Sequence, residues 1–76
     1  MSIKSYSRLD TVTCRALYRN STGTVFKIQG MQENPFVIMH DVSLRPGSLV
    51  LASIVRISND SSYVKVALDS VLDTAA

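Results

Sequence analysis

Hydrophobic and polar residues alternate along most of this chain with a period of two, which is the pattern of β-strands and not of helices. Val, Ile and Thr account for nine, five and five of the 76 residues, and their branched side chains also favour strands. We consider helix only for one turn near residues 40–44 and for the tail at 69–76. The predicted strands are residues 10–18, 24–29, 36–39, 49–57 and 63–68.

Turn residues separate these segments at short intervals. Residues 20–23 read Asn-Ser-Thr-Gly and residues 58–62 are all polar, while Pro46 and Gly47 form a tight turn. We expect Gly23 and Gly47 to take positive φ. Five short strands must close on themselves, because an open sheet would leave unpaired edges and a wet apolar face. The sequence therefore predicts an all-β fold, a small five-stranded antiparallel barrel.

Two segments carry a family resemblance. Residues 22–28 (Thr-Gly-Thr-Val-Phe-Lys-Ile) are similar to a Gly-x-Phe-Val-x-Ile strand, and residues 44–50 (Leu-Arg-Pro-Gly-Ser-Leu-Val) to a Gly-x-x-Val turn. These two motifs are those of the oligonucleotide/oligosaccharide-binding (OB) RNA-binding repeat of the small-subunit ribosomal protein and polynucleotide phosphorylase, which the chain therefore resembles. The resemblance implies an OB-type barrel that binds RNA. It also implies that the family's two stacking aromatics fall on Thr22 and Val25.

The resemblance covers residues 10–69, so we expect an OB-like barrel there. Residues 1–9 are then an N-terminal extension and residues 70–76 a C-terminal tail. A chain of 76 residues has room for one domain of this kind and little else.

Basic residues are concentrated in the first half of the chain. Residues 1–30 hold five basic residues against one acidic residue, whereas residues 31–76 hold three against five. Cations along a backbone path and an exposed aromatic ring are what a barrel needs to bind single-stranded nucleic acid. We therefore predict a surface on which the cations contact phosphates and Tyr63 stacks on a base. Its residues are Arg15, Arg19, Lys27, Tyr63 and Lys65. The alternative is that these residues only make the barrel's outside soluble.

A second hypothesis is assembly with protein. Leu17 lies on the otherwise polar face of the first strand, and Val25 lies where the family exposes an aromatic ring. Exposed apolar groups of this kind commonly form interfaces. The chain would then be a self-assembling module or an accessory subunit of a larger complex.

No arrangement of residues predicts catalysis. His40 and Asp41 are adjacent, so they would not face each other in a strand, and the acidic residues lack the spacing of a calcium loop. We expect no enzyme activity, no metal and no cofactor. Cys14 is the only cysteine and is predicted to be a buried strand thiol. A single cysteine, no long apolar run and no apolar leader favour a cytoplasmic protein with no membrane partner.

Overall fold

Five strands make up the regular structure of the chain. The structure is a computed structural model that describes residues 6–31, 33 and 35–75. The strands are β1 (Thr11–Arg19), β2 (Gly23–Ile28), β3 (Phe36–His40), β4 (Leu49–Ile57) and β5 (Tyr63–Asp73). None of the described residues is helical, so the all-β prediction is confirmed. Residues 1–5 of the predicted N-terminal extension lie outside the described residues.

The strands close into a barrel in the order β1-β2-β3-β5-β4, with β4 pairing back to β1. Four of the five contacts are antiparallel, and β3–β5 is parallel. An odd number of strands cannot alternate in direction all the way round a closed ring, so one parallel pair is unavoidable. The predicted five-stranded barrel is confirmed, with this one exception to its antiparallel pairing. The architecture is consistent with an OB-like fold.

The barrel interior is filled by the apolar residues that alternate along each strand. Phe26, Ile54 and Val64 are among the fully buried side chains. Cys14 is buried as predicted, and the loss of hydration on burial raises the pKa of its thiol to about 12. The thiol is therefore neutral at any physiological pH.

Gly23 has a different role from the predicted one. Its φ is not positive, whereas Gly47 does take the expected left-handed conformation at φ 93°. The reason for a glycine at residue 23 is the close approach of β3, because a Cβ there would overlap the main-chain carbonyl of Met39. The first residue of β2 can therefore lie against β3 only without a side chain.

Both helix candidates are wrong. Residues 41–48 form a loop, and the buried Thr24 hydroxyl holds it by donating to the Val42 carbonyl (2.6 Å) and accepting from the Leu44 amide (3.1 Å). The predicted tail is mostly strand, since β5 extends to Asp73 and pairs with β4 as far as Leu49.

Candidate nucleic-acid interface

Strand register sets side chains from four strands side by side on the barrel's outer surface. Arg15 of β1 is the partner of Lys27 of β2, and Phe36 of β3 is the partner of Tyr63 of β5. The β2–β3 register brings Lys27 next to Phe36, and both line one groove. Neighbouring strands are about 4.8 Å apart, so this row of four side chains is roughly 15 Å long.

A second row runs beside the first, roughly 7 Å away. Its residues lie two positions from the first row on β2, β3 and β5, and three positions from it on β1, where the register is interrupted. It consists of Tyr18, Val25, Ile38, Lys65 and Arg56, each the register partner of the next. An aromatic side chain lies at one end of this row, two cationic side chains lie at the other end, and two aliphatic side chains lie at its centre. We call the five outward residues Arg15, Lys27, Phe36, Tyr63 and Lys65 the binding face.

A stacked aromatic pair lies in the middle of the binding face. The rings of Phe36 and Tyr63 have their centroids 6.0 Å apart and their planes 24° apart. The Tyr63 hydroxyl also lies 3.3 Å from Nε2 of His40, four residues along β3 from Phe36. Ile38 lies between these two β3 residues on the same side of the strand and is only 3% exposed. The Tyr63 ring is thus held over Ile38, and Phe36, 39% exposed, offers a flat surface to solvent.

Among the described residues, the cations of the binding face form no ion pair. Arg15 donates from Nη1 to the carbonyl of Gly47 at 2.9 Å, which orients its guanidinium without cancelling its charge. Within the part of the chain that the structure describes, the side chains of Lys27 and Lys65 make no hydrogen bond or ion pair. Glu33 lines the same groove as Lys27 and is an acidic residue at the border of this surface.

The structure brings together four of the five predicted binding residues and separates the fifth. An extra residue, Leu17, interrupts the β1–β2 register, so that Ala16 pairs with Phe26 and Tyr18 already with Val25. This bulge turns Tyr18 to the outside, although its alternation with Val12, Cys14 and Ala16 placed it inside.

The same bulge changes the position of Arg19. It pairs with Thr24, whose side chain faces the interior, and its Nη1 donates to Ser43 of the 41–48 loop at 3.3 Å. The prediction that Arg15 and Arg19 share one face is therefore wrong. A β-bulge reverses the alternation on which that prediction depended.

Val25 is also not where the sequence placed it. The expectation that it is exposed is wrong, because it is only 3% exposed, and its role in a protein interface stays a prediction. It faces outward between Tyr18 and Ile38, and the surrounding groove residues cover it. Leu17 is 47% exposed, and its role in a protein interface stays a prediction.

Sequence reasoning missed the central ring of this face. Phe36 begins a continuously apolar run, which favoured interior packing. The available signal was its spacing, because residues 36, 38 and 40 share one side of a strand whose other side holds the buried Val37 and Met39. Arg56 was missed for another reason, since its outward position depends on a bulge in β4.

Comparisons with protein-family models, with curated proteins and with solved structures find no match for this chain. Among residues 6–31, 33 and 35–75, no group of three or more His, Cys, Asp or Glu side chains is placed to hold a metal ion. Nor does the described part of the chain contain a helix of the length and hydropathy needed to cross a membrane. The site is therefore interpreted from its own geometry.

Proposed function

We propose that this protein binds single-stranded nucleic acid, without catalysis and without a cofactor, through the binding face. Two rings stack on bases, and Arg15, Lys27 and Lys65 contact the phosphates. The sequence resemblance favours RNA over DNA as the ligand. The lone buried thiol favours a reducing compartment such as the cytoplasm.

The observation that carries this proposal is the stacked Phe36–Tyr63 pair with cations beside it in two directions. Arg15 and Lys27 continue the row of the two rings across β2 and β1, and Lys65 lies two residues beyond Tyr63 along β5. Bases stack on aromatic rings whatever their sequence, and cations along the path attract the backbone. A face with both elements suits an unpaired strand, because a duplex would keep its bases away from the rings.

The test is a fluorescence anisotropy titration with labelled single-stranded oligonucleotides, uridine and thymidine homopolymers of equal length, over a salt series. Contacts with about three phosphates should make the affinity fall roughly tenfold or more between about 50 and 200 mM salt. Tighter binding of the uridine strand is the expected result. Equal binding of both strands would contradict the preference for RNA and leave the proposed nucleic-acid binding intact.

A matched pair of variants locates the ligand. Arg15→Ala and Arg19→Ala each remove one exposed arginine from β1, so they change net charge equally. We expect Arg15→Ala to weaken binding several-fold and reduce the salt slope by about one, and Arg19→Ala to have less than a twofold effect. If no oligonucleotide binds the wild-type protein at low salt, the proposed function is wrong. Equal losses in the two variants would show attraction by net charge alone.

A second candidate function is pairing with another copy of this chain. Within the described residues, β3 pairs with β5 only at residues 63–65, so residues 67–73 have β4 as their single neighbour. This free edge, as we call residues 67–73, also exposes Leu68, Val71 and Leu72. Unpaired main-chain groups beside apolar side chains can bind a second strand, and the same edge on two copies makes a symmetric contact.

Other features of the free edge oppose this candidate. Asp69 and Leu72 are extra residues in the β4–β5 register, and bulges twist an edge away from a partner strand. Sedimentation over a concentration series tests whether two copies of the chain pair. A dimer that dissociates in Leu72→Lys would support pairing at this edge, and a monomer at all concentrations would exclude it.

A further inference from the structure

A second groove lies on the other side of Tyr63 from Phe36. It has a volume of about 530 Å³, and its walls come from the 6–10 segment, the end of β4 and the start of β5. Three of its lining residues are cations, and we call it the cationic groove. The full lining is Arg8, Val55, Arg56, Ser58, Tyr63 and Lys65.

A β-bulge creates this groove. Ile54 pairs with Val66 and Arg56 with Lys65, so Val55 is an extra residue in β4. Without it, Arg56 would point to the same side as the buried Ile54, two residues before it. The bulge instead places Arg56 outside, directly beside Lys65. Bulges often redirect a side chain in this way at functional sites.

The third cation is brought in by a hydrogen-bonded turn. The Leu9 amide donates to the Ile54 carbonyl at 2.7 Å, and the Ile54 amide donates to the Asp10 carbonyl at 2.9 Å. The Asp10 carboxylate accepts from the Ser7 amide at 2.7 Å and closes the turn. Arg8 is therefore held against β4 by its neighbours on both sides.

The charge of the groove is unbalanced. Across the described residues, the side chains of Arg8, Arg56 and Lys65 make no ion pair and no hydrogen bond. Like charges directly opposite each other on neighbouring strands destabilise a sheet, so the Arg56–Lys65 pair works against folding. Asp60 lies in the adjoining loop, where its carboxylate accepts from the hydroxyls of Ser58 (2.8 Å) and Ser62 (2.7 Å). These bonds hold its pKa down to about 2, and one acid against three cations leaves the groove positive.

We propose that the cationic groove binds the phosphodiester backbone of the same strand after it leaves the binding face. This inference rests on the proposed function. Tyr63 and Lys65 belong to both surfaces, so a strand that stacks on Phe36 and Tyr63 passes directly onto Arg56 and Arg8. The groove offers two guanidiniums, which suit phosphate oxygens, and no second flat ring besides Tyr63. It therefore contributes affinity that does not depend on base identity.

The experiment is a length series, with uridine oligonucleotides of about 3 to 12 nucleotides, titrated against wild-type protein, Arg56→Gln and Lys27→Gln. We expect Arg56→Gln to bind the shortest strands as the wild type does. For the longest strands it should lose several-fold in affinity and about one unit of salt slope. Lys27→Gln should lose affinity at every length, because it acts on the binding face. Arg8→Gln combined with Arg56→Gln should widen the gap at long lengths only.

Three outcomes would overturn the inference. If Arg56→Gln binds long strands as tightly as the wild type, the groove does not contact the strand. If it weakens short and long strands equally, Arg56 belongs to the binding face and there is no separate groove contact. If the wild-type protein binds no strand of any length, the proposed function itself is wrong and the inference falls with it. Circular dichroism and thermal melting of each variant confirm that the barrel is intact.

Discussion

The two halves of β5 differ in how they pair and in the side chains they expose. Residues 63–65 pair with β3 on one side and β4 on the other, and they carry Tyr63 and Lys65 outward. Among the described residues, the free edge at residues 67–73 pairs with β4 alone; it has no cation and exposes leucine and valine. One continuous strand thus contributes a wall to the closed barrel and then an open edge. The neighbours of a strand decide which of these two roles each half takes.

Because of this difference in pairing, the two regions present different chemical groups to a ligand. We call the part of the barrel in which every strand pairs on both sides, β1–β4 and residues 63–65 of β5, the closed wall. Within it, side chains from several strands come into register, and a ring can stack on a ring from another strand. Along the free edge each side chain has neighbours on one side only, which leaves main-chain groups and apolar atoms exposed. The closed wall is therefore suited to a ligand that needs several fixed contacts, and the open edge to another strand.

The largest expected difference between the closed wall and the free edge is in how much a substitution lowers the free energy of unfolding. Gly23→Ala places a Cβ against the main chain of Met39, which cannot move without disturbing the β2–β3 pairing. We expect it to lower the free energy of unfolding by about 3 kcal/mol, at the upper end of overpacking effects. Urea denaturation monitored by circular dichroism measures this quantity.

Ser70→Ala on the free edge is the control for that measurement. Ser70 is exposed, so its replacement should change the free energy of unfolding by less than about 0.5 kcal/mol. Equal stability of the two variants would mean that the closed wall does not require the close approach at Gly23.

The next contrast is in binding. Phe36→Ala removes the exposed ring of the stacked pair, and loss of one base-stacking ring costs about 1–3 kcal/mol, or roughly tenfold or more in affinity. Leu72→Ala removes a more exposed apolar side chain from the free edge and should leave oligonucleotide affinity unchanged. Anisotropy titrations of both variants give the comparison. If Leu72→Ala weakens binding as much as Phe36→Ala, the oligonucleotide does not bind specifically to the closed wall.

The sequence predicts the closed wall better than the free edge. Strand β4 was predicted with its observed bounds, Leu49–Ile57, because its alternation holds from Leu49 to Ile54 and turn residues precede and follow the strand. The second half of β5 was missed, because Asp69 and Leu72 are bulge residues that interrupt the alternation between Leu68 and Asp73. A bulge is a property of two paired strands, so one strand's pattern does not reveal it.

The residues of the candidate site were also predicted correctly where the alternation is regular and missed where a bulge interrupts it. Arg15 and Lys27 fall on one surface, because both lie where the period-two alternation holds. Arg19 and Arg56 follow bulges and were misplaced or missed. The burial of Val25 was missed because the groove that covers it includes Phe36, which is distant in sequence. Long-range contacts of this kind are absent from local spacing.

The smallest effect concerns Cys14, whose buried thiol reports on the closed wall. Its pKa is about 12 in the folded protein and about 9 when exposed, so the unfolded chain loses the proton first as pH rises. The free energy of unfolding should therefore fall with increasing pH between about 9 and 12, with a limiting slope of about 1.4 kcal/mol per pH unit. Between pH 8 and 9.5 this amounts to less than about 1 kcal/mol. The measurement is the difference in slope between the wild type and Cys14→Ala, which isolates the contribution of the thiol. Equal slopes would show that the thiol is hydrated in the folded barrel and that the wall around β1 opens more readily than its pairing with β2 and β4 implies.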